Sequence, residues 1–409
     1  MALAVDADVV HRKGGHVMLQ EIPPSLDLQE VGGVDWDVVV VGAGPAGAMS
    51  AVLLAQRGRR VLLVDHARFP RDKVCGCCIN PVAMGVLEAA GLRGLLERAG
   101  AVTLRSVRLA VGRISVDIPL PGGAALSRRT LDAAMVRAAM ERGAAFLPGT
   151  SARLSNPADA GRRAVLLRSG GKIATVGARV VLACDGLPGR LLDQEPDAEW
   201  IIDRQGRIGV ATILPTGSAS CEPGRIYMAV GNGGYVGLVR LEDGRVDLAA
   251  ALDGGQCRQV GGPGKLVERI LADSGFVQVQ GCGGAHYQGT PLLTRRRRTP
   301  GAWRVLAVGD ACGYVEPFTG EGIGWAMVSA AAVVGVVERG IGGWSEELVG
   351  EWTGVGRRLL GRRRAVCWAV TRALRWRRLA QAMVRLARSV PGWAVPTLLL
   401  CTLIVKNCS

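Results

Sequence analysis

One stretch decides the fold of this chain: VDWDVVVVGAGPAGAMSAVLLAQRGRRVLLVD, residues 34–65. It opens with four consecutive valines, Val38 to Val41, of the kind that a buried parallel strand carries. Small residues from Pro45 to about Arg57 predict a helix, and a second apolar strand, Val61 to Val64, follows it. Asp65 ends that strand, about 20 residues after the glycines, where a carboxylate can accept hydrogen bonds from ribose hydroxyls.

Three glycines, Gly42, Gly44 and Gly47, stand between the first strand and the helix in the spacing G-x-G-x-x-G. The first allows a tight turn, the second lets the backbone approach a pyrophosphate, and the third lets the helix pack closely on the sheet. The helix begins at Pro45, and the free N–H groups from Ala46 onward attract phosphate together with the positive end of the helix dipole. This order of elements predicts a dinucleotide site; a tight strand–helix turn without a ligand is the alternative.

The composition is that of a globular chain of 409 residues, 49% of them apolar, enough for two or three domains. Aromatic residues make up only 4%, so alanine, valine, leucine and glycine must do most of the packing. The eleven cysteines show no regular pairing, which favours a reducing cytoplasm over a disulfide scaffold. Charges interrupt residues 1–34, which predicts a loose N-terminal extension.

The formal charge of +15 is concentrated rather than spread over the chain. Eleven arginines and no acid occur between Arg357 and Arg388, and the run 295–298 is a second cluster. Apolar residues such as Trp368 and Trp376 recur at roughly helical spacing, which is typical of an amphipathic basic helix. We therefore expect no nucleic-acid partner. The expected localisation is cytoplasmic, with peripheral contact at the inner membrane surface; a plain solvated helix face is the alternative.

Three further motifs follow the glycine fingerprint GAGPAG at 42–47: RDKVCG at 71–76, ACDG at 183–186 and GDACGYVEPFTGEGI at 309–323. Their order over residues 35–338 resembles the flavoprotein superfamily with the p-hydroxybenzoate hydroxylase fold, and within it the geranylgeranyl reductase-like branch of FAD-dependent oxidoreductases. The resemblance implies an α/β fold with a Rossmann-like FAD-binding domain, an antiparallel β-sheet substrate domain and C-terminal helices. It also implies FAD as cofactor, with NAD(P)H or another reductant as a transient electron donor.

The resemblance assigns the last of these motifs to the flavin. Asp310 would accept a hydrogen bond from a ribitol hydroxyl, and the helix that follows would begin at the pyrimidine edge of the ring. A helix N-terminus there would stabilise the negative charge of reduced flavin. The other positions that would line the flavin or shape the turn are Gly309, Pro317, Gly320, Gly322 and Ile323.

Other positions match the family outside that motif. Arg128 opens a predicted helix and would contact the flavin or its phosphates, with Arg129 as the adjacent alternative. Asp185 and Gly186 would border the pyrophosphate, and Ala152 would lie near the adenine.

The segment CGCC, residues 75–78, has no second Cys or His pair at ligand spacing, so no metal is expected. In the resembled branch, Cys75 and Gly76 occupy positions beside the flavin and the substrate cavity. Cys77 and Cys78 depart from the commonest pattern of that branch. No residue stands out as a catalytic acid or base, and the candidates for a catalytic role are Cys75 and Tyr235.

The predicted domains are interrupted in sequence. Residues 225–252, RIYMAVGNGGYVGLVRLEDGRVDLAAAL, alternate and turn like an antiparallel sheet. The predicted parts are an N-terminal extension, 1–34; an FAD-binding domain, 35–103, 125–186 and 299–345; a substrate-binding sheet domain, 104–124 and 187–298; and a basic C-terminal helical region, 346–409.

The expected substrate is a hydrophobic small molecule, isoprenoid- or polyketide-like. The reductase-like branch usually carries a Trp followed by Phe-Pro where this chain reads GYVGLVRL, residues 234–241, which counts against a prenyl chain. Aromatic monooxygenases usually have His where this chain has Gly313, and the Trp-x-Trp signature of halogenases is missing. We expect reduction of a C=C bond by hydride transfer from reduced flavin. Hydroxylation of an aromatic or polyketide-like substrate through a flavin C4a-hydroperoxide stays open, as does a non-catalytic FAD-binding protein.

Overall fold

The computed structural model describes residues 20–155, 161–276, 278–316, 318 and 320–389, together with the backbone of 12–13 and 16–17. Its helices and strands are numbered here in chain order. The helices are α1 (Pro45–Ala55), α2 (Pro81–Ala89), α3 (Leu95–Arg98), α4 (Arg128–Glu141), α5 (Gly254–Gln259), α6 (Pro263–Ser274), α7 (Gly322–Gly342), α8 (Glu347–Ala373) and α9 (Arg377–Ser389). The strands are β1 (Arg12–Lys13), β2 (His16–Val17), β3 (Trp36–Val41), β4 (Val61–Val64), β5 (Cys78–Ile79), β6 (Val102–Thr103), β7 (Ser106–Val111), β8 (Ile114–Pro119), β9 (Ala124–Ala125), β10 (Ala145–Leu147), β11 (Ser151–Leu154), β12 (Arg163–Ser169), β13 (Lys172–Ala183), β14 (Trp200–Ile202), β15 (Ile208–Leu214), β16 (Arg225–Gly231), β17 (Gly234–Arg240), β18 (Val246–Leu252), β19 (Gln288–Leu292), β20 (Arg295–Arg297), β21 (Gly301–Ala302), β22 (Val305–Ala307) and β23 (Gly313–Tyr314).

The first main sheet is built on the fingerprint strand β3. Its strand order is β10–β4–β3–β13–β12–β11, with β22 paired to β13. The pairs among β10, β4, β3, β13 and β22 are parallel, and β12 and β11 add an antiparallel edge. Val38 and Val40 belong to the apolar cluster that includes α1, α4 and α7, whereas Val39 and Val41 belong to the cluster on the opposite face. Both faces are covered, which is why this strand reads as an uninterrupted run of valines.

Two fingerprint glycines are required by close backbone contacts. Gly42 has a φ of +102°, and a Cβ there would lie 2.3 Å from the carbonyl oxygen of Cys184, just after β13. A Cβ at Gly47 would lie 1.8 Å from the carbonyl oxygen of Gly42. Neither position has room for a side chain, so glycine is what lets the loop, α1 and the end of β13 approach one another.

The second main sheet has the order β19–β15–β18–β17–β16–β7–β8. Its strands come from the two segments that the sequence assigns to the substrate domain. All its pairs are antiparallel except β7 with β16, which run parallel. The predicted antiparallel sheet therefore contains one parallel pair, because β7 comes from the earlier segment and runs beside β16 in the same direction. Two short sheets, β5–β9–β6 and β14–β20–β23, and the antiparallel pairs β1–β2 and β21–β22 complete the paired strands among the described residues.

One carboxylate clamps the second sheet to α4. Glu242, in the turn between β17 and β18, accepts hydrogen bonds through Oε1 from Ser127 Oγ at 2.6 Å and Thr130 Oγ1 at 2.7 Å. Its Oε2 accepts the N–H of Ser127 at 3.0 Å. Ser127 is the N-cap of α4, and its Oγ also accepts the N–H of Thr130 at 3.2 Å. The sheet is thus fixed over the start of α4 by a charged acceptor.

We expect Glu242→Ala to lower the free energy of unfolding by about 2 kcal/mol, because buried donors at the N-cap lose a charged acceptor. Urea denaturation followed by tryptophan fluorescence measures the change. Glu222→Ala is the matched control, since Glu222 is 64% exposed and its carboxylate forms an ion pair with Arg225 at the surface; it should cost less than about 0.5 kcal/mol. Equal effects of the two substitutions would contradict the clamp.

The basic C-terminal region forms two helices, α8 and α9, with a break at 374–376. The Arg388 Nε on α9 donates to the carbonyl oxygen of Ser115, on β8, at 2.6 Å. The face of α9 that packs against the second sheet carries Ala380, Val384 and Ala387. Residues 390–409 lie outside the described part of the chain, and so does the apolar stretch that the sequence shows there.

One helix in the described part of the chain, α7, is long and apolar enough to cross a membrane by length and composition. Of its most apolar window, 61% is buried inside the protein. It packs against α1, α2 and α8, and Val333 and Val337 lie in the main core. These contacts are those of a core helix.

Residues 20–34 correct the expectation of a loose N-terminal extension. The N–H of Ile22 donates to the carbonyl oxygen of Phe69 at 3.0 Å. The first main sheet and the helices packed on it form the first domain. Three apolar residues of this segment are buried against it: Ile22, Leu28 and Val31. These three positions could not be recognised as buried from the sequence, because charged and polar residues surround them and they do not recur at helical or strand spacing.

Candidate cofactor and substrate site

A cavity of about 1020 Å³ lies between the first domain and the second sheet. Its floor is formed by the fingerprint loop, the start of α1 and the loop at 309–323, and its roof is one face of the second sheet. The predicted residues that line it are Gly42, Gly44, Pro45, Ala46, Asp65, Cys75, Gly76, Arg128, Ala152, Asp185, Gly186, Tyr235, Asp310, Gly320, Gly322 and Ile323.

Two of the predicted residues that the structure describes, Gly47 and Gly309, do not line the cavity. Gly47 packs under the fingerprint loop. Gly309 has a φ of +67°, and a Cβ there would lie 2.9 Å from the Cβ of Ala46. Both glycines therefore shape the floor from beneath, through close contacts within the protein. Pro317 lies outside the described residues.

One end of the cavity carries positive charge against the glycine loop. A Cβ at Gly44 would lie 3.5 Å from Nη2 of Arg128 and 3.7 Å from Nη2 of Arg71. Asp132 holds Arg128 in place, accepting from its Nε at 2.9 Å and its Nη2 at 2.8 Å. Lys73 lines the same cavity. Two guanidinium groups and the N-terminus of α1 thus form an anion site where the fingerprint predicts a pyrophosphate.

Sequence reasoning missed two members of this basic group. Arg71 and Lys73 belong to the motif RDKVCG, residues 71–76. The spacing of that motif was the signal that could have identified them, but sequence reasoning assigned only Cys75 and Gly76 to the site. Burial lowers the pKa of Lys73, and the nearby charges of Arg71 and Arg128 add to the shift. Arg129, the alternative to Arg128, instead approaches Asp72 at 3.8 Å with its side chain 40% exposed.

Asp65 fixes the fingerprint loop while facing the cavity. Its Oδ2 accepts the N–H of Ala43 at 2.8 Å, and its Oδ1 accepts the N–H of Ala67 at 2.9 Å. A carboxylate offers about four lone-pair sites, so acceptor capacity is left for a ribose hydroxyl. The neighbouring His66 side chain is 81% exposed, a surface residue.

Two further carboxyl groups line the middle of the cavity. Burial raises the pKa of Asp310 to about 6, against the opposing charges of Arg128 and Lys73. Burial also raises the pKa of Asp185, whose Oδ2 accepts the N–H of Leu191 at 2.8 Å. The Oδ1 of Asp185 is buried and finds no hydrogen-bond partner among the described residues. Such an orphaned acceptor in a cavity wall suits a ligand hydroxyl donor.

The loop at 309–323 carries no basic residue of its own, but the C-terminal region supplies one. Arg364 on α8 donates through Nη2 to the carbonyl oxygen of Gly313 at 2.9 Å. Gly322 and Ile323 line the cavity at the first turn of α7, so the N–H groups of that turn open towards it. The loop thus presents a helix N-terminus to the cavity rather than a side-chain charge.

The CGCC segment brings Cys75 and Cys78 to the cavity wall, with Cys77 buried behind them. The N–H of Cys77 donates to the Sγ of Cys75 at 3.3 Å. A hydrogen bond from the Cys77 thiol lowers the pKa of Cys75 to about 6, and the Arg128 guanidinium adds to this shift. Burial instead raises the pKa of Cys78. Within the described ranges, no group of three His, Cys, Asp or Glu side chains is arranged to hold a metal.

The roof of the cavity is mostly apolar. Tyr235 is part of this wall, 5% exposed, and its ring meets that of Phe318 edge-on with centroids 5.0 Å apart. One residue of the roof, Asp247 on β18, carries a carboxyl group, and sequence reasoning missed it. The apolar side chains that line the roof are Val107, Leu109, Ile118, Ile226, Met228, Val239, Ala249 and Ala251.

These groups fit FAD. The anion site at Gly44 suits its pyrophosphate, and the acceptors Asp65, Asp185 and Asp310 suit its hydroxyls. The exposed first turn of α7 suits the electron-rich edge of a flavin. None of these groups requires a second cavity for a separate nicotinamide dinucleotide.

The family comparison agrees with this fit. Residues 35–199 match the family model described as FAD binding domain. The menaquinone reductase of Mycobacterium tuberculosis is 39% identical over 156 residues, a match that spans 37% of this chain and 37% of that relative. Digeranylgeranylglycerophospholipid reductase 2 of Methanopyrus kandleri is 27% identical over 319 residues, covering 72% of this chain and 75% of that protein.

Solved structures show the same fold. A geranylgeranyl bacteriochlorophyll reductase-like protein from Thermoplasma acidophilum superposes with a TM-score of 0.71 at 17% identity, covering 86% of this chain and 91% of that one. The myxobacterial chondrochloren halogenase CndH gives a TM-score of 0.70 at 19% identity, covering 89% and 92%. At these identities the likeness shows the fold alone.

These findings confirm the predicted fold class, the resemblance to the geranylgeranyl reductase-like branch, and FAD as the cofactor. The residue assignments within the cavity and the domain bounds stay predictions, supported by the contacts described above.

Cys75 is expected to react selectively with iodoacetamide in protein freed of FAD. The thiolate is the nucleophile, and the pKa of Cys75, lowered to about 6, means that its rate should be half-maximal near that pH and level off above it. Cys78, on the same wall, is the internal control, because its raised pKa keeps it a thiol. Peptide mass spectrometry over a pH series measures both. A Cys75 rate that still climbs steeply between pH 7 and pH 9 would contradict the assignment, and added FAD should protect the thiol.

Proposed function

We propose that the protein is an FAD-dependent oxidoreductase that reduces a C=C bond of an apolar, isoprenoid-like small molecule. The observation that carries the proposal is the contrast across one cavity, with cations and a helix N-terminus on the cofactor side and an apolar sheet face opposite. Burial of hydrocarbon against such a face drives binding without hydrogen bonds. The names of the digeranylgeranylglycerophospholipid reductases, matched over 72% of this chain, support the same substrate class.

The chain's own residues would bind and orient. Arg71 and Arg128 would hold the pyrophosphate, Asp65 a ribose and Asp310 a ribitol hydroxyl. When bound, FAD supplies the hydride chemistry that the side chains lack. The first turn of α7, at Gly322, would stabilise negative charge on the reduced ring. The sheet face would keep water from the reacting carbons and orient the substrate by its shape.

The electron donor in this proposal is NAD(P)H or another reductant that visits the cavity transiently. The described residues contain one G-x-G-x-x-G loop between a buried strand and a helix, and that loop lines the cavity in which FAD would bind. A nicotinamide would therefore approach through the substrate side and leave before the substrate binds.

An anaerobic turnover with two defined probes tests the proposal. Holoprotein reduced with dithionite is mixed with menaquinone or with digeranylgeranylglycerophospholipid in detergent, and the products are weighed by mass spectrometry. We expect a product two hydrogens heavier for each C=C bond reduced. For menaquinone, the gain must survive oxidation in air, which returns any quinol ring to the quinone. Unchanged side chains on both probes would contradict the proposal.

The same protein distinguishes the remaining alternatives. Under air with NADPH, uptake of one atom from isotopically labelled dioxygen into a probe would replace the reductase by a monooxygenase. Uptake of bromide or chloride would identify a halogenase, the chemistry of some structural neighbours. A yellow protein that changes no probe under any of these conditions would be a non-catalytic FAD-binding protein.

We also propose that the protein is cytoplasmic and that α9 lies on the anionic surface of the inner membrane. The apolar substrate would pass from that membrane to the protein. Three large apolar side chains on α9 or directly before it are exposed: Trp376 (72%), Leu379 (41%) and Leu386 (59%). Arginines 377, 378, 385 and 388 of α9 are exposed beside them. Exposed apolar side chains flanked by cations suit an anionic headgroup layer, at roughly 1 kcal/mol for each arginine near the surface.

The position of α9 supports delivery to the cavity. The opposite face of α9, at Ala380 and Val384, shares an apolar cluster with Leu109 and Ile118, which line the roof. A substrate leaving the membrane under α9 would therefore meet the outside of the cavity wall within one helix thickness.

Co-sedimentation with anionic and neutral liposomes tests the membrane proposal. We expect the full chain to bind anionic liposomes at low salt, and Trp376→Ser/Leu379→Ser/Leu386→Ser to bind at least about 10-fold more weakly. Ile173→Ser, on β13 and 56% exposed, is the matched control and should bind like the parent. If the parent ignores anionic liposomes at low salt, α8 and α9 are scaffold and the proposal fails.

A further inference from the structure

We infer that Asp247 is the acid that protonates the substrate during its reduction. The inference rests on the reductase function proposed above and names a catalytic residue for it. Asp247 lies on β18, is 3% exposed and lines the cavity roof. Among the described residues of that sheet, no other carboxyl group lines the cavity.

The surroundings of Asp247 contain thiols and one carboxylate. Cys75, Cys77 and Cys78 face it from the CGCC segment, and Glu242 faces it from the turn between β17 and β18. The Glu242 clamp on Ser127 fixes the register of this turn over the cavity floor. The carboxyl group is therefore held at the boundary between the substrate roof and the cofactor side.

A purely structural role explains this carboxyl group poorly. Its strand neighbours on the cavity face, Ala249 and Ala251, are apolar, and a valine or leucine would bury there without a desolvation cost. The described residues contribute no Lys or Arg as an ion-pair partner, and the Cys77 thiol is a weak hydrogen-bond donor. A buried acid with so little compensation is typical of a site where it has a task.

The protonation state of Asp247 suits a proton donor. Burial raises the pKa of Asp247 well above its usual range, the nearby Cys75 adds to the rise, and the hydrogen bond from Cys77 opposes it. The folded protein therefore keeps this carboxyl group neutral to higher pH than an exposed aspartate. Below the raised pKa the group holds a proton to give, and above it that proton is lost.

The step balances without another reagent. With FAD bound and reduced, one carbon of the C=C bond would accept the hydride that the cofactor supplies, and the other carbon would accept the proton of Asp247. Two C–H bonds would form as the π bond breaks, with two electrons passing from the cofactor to the alkene. Asp247 is left as a carboxylate and recovers its proton from water once the cavity opens.

The test compares the parent protein with Asp247→Asn, which keeps the size and polarity of the side chain but has no acidic proton. Dithionite reduction of the bound FAD should proceed at the same rate in both. Anaerobic reduction of the isoprenoid C=C bonds of menaquinone, read by product mass, should fall about 100-fold in the variant. The parent rate should decline as pH rises, whereas the residual rate of the variant should not show that decline.

Each outcome decides a separate point. If the parent reduces the probe and Asp247→Asn matches its rate, the inference is wrong and the proposed function stands. If the parent, with its FAD reduced, does not reduce the probe, the proposed function falls and this inference with it. If Asp247→Asn does not fold, the pH profile of the parent and of Asp247→Glu decides: a profile that stays flat in both up to the pH at which the protein unfolds overturns the inference.

Discussion

Gly44→Val is expected to give a folded, colourless protein whose affinity for FAD is lower by at least about 1000-fold, or about 4 kcal/mol. The backbone of Gly44 has a φ of −75°, which any residue can adopt. A Cβ there would come no closer than 3.5 Å to another group of the chain, the Nη2 of Arg128. A valine therefore fits the protein itself and projects into the space that the pyrophosphate must occupy.

The matched control is Gly85→Val, the same change on the exposed face of α2, where a Cβ meets nothing within 4 Å. It should bind FAD like the parent. Gly42→Val gives a second comparison, because its Cβ would lie 2.3 Å from a backbone oxygen and it should disrupt folding itself. Fluorescence titration with FAD and circular dichroism measure binding and folding. Full FAD occupancy in folded Gly44→Val would sink the assignment of the fingerprint.

Arg207→Met is expected to lower the free energy of unfolding by about 3 kcal/mol, because it leaves a buried carboxylate without its partner. Arg207 Nη1 lies 2.9 Å from Glu316 Oε1, and the two side chains are 6% and 1% exposed. Arg375 stays 3.9 Å from the other carboxylate oxygen and compensates only in part. The pair ties the start of β15 to the loop at 309–323, so the loss should be felt by the whole cavity.

The effect of Arg207→Met should depend on pH in a definite direction. Burial already raises the pKa of Glu316, with the Arg207 charge opposing, and loss of that charge raises it further. A carboxyl group whose pKa is raised in the folded state favours folding at low pH, and this contribution is lost as pH rises. The destabilisation measured by urea unfolding should therefore be smaller at pH 5 than at pH 8.

Two variants complete this test. Arg207→Met/Glu316→Gln should recover most of the loss, because no buried charge remains unpaired. Arg93→Met breaks an exposed pair with Glu88, 85% and 59% exposed, and should cost less than about 0.5 kcal/mol. A loss in Arg207→Met no larger than that of Arg93→Met would show that the buried pair does not hold the loop.

The first domain could be predicted from sequence because its signals are local. Val38 to Val41 form a continuous apolar run since both faces of β3 are covered, and a run of that kind has few other structural solutions. Gly42 is required by a positive φ and Gly47 by a backbone contact, both within one short loop. Local geometry of this kind leaves a fixed spacing in the sequence.

Asp247 could not be predicted, for an equally physical reason. Val246 and Leu248, on either side of it, are buried in the core beneath the sheet, so alternation places Asp247 on the opposite face. In an isolated sheet that face would meet water, and an aspartate there needs no explanation. It is buried only because the first domain covers it, which no pattern within β18 records.

The same limit applies to contacts made across long sequence separations. Arg364 of α8 supports the loop at Gly313, and Ile22 packs beside Phe69. Neither partner leaves a periodic signal near the other. The basic C-terminal run was visible, but its division between inward arginines that support the cavity and outward ones on α9 is decided by packing.

One FAD per chain is expected to occupy the cavity from Gly44 to the start of α7. Equilibrium dialysis of the deflavinated full chain, against FAD and separately against NADPH in the dark, tests this most directly. We predict saturation at one FAD per chain and no stoichiometric, tight binding of NADPH. A folded chain that takes up no FAD, or that binds NADPH tightly at one per chain without FAD, would contradict it.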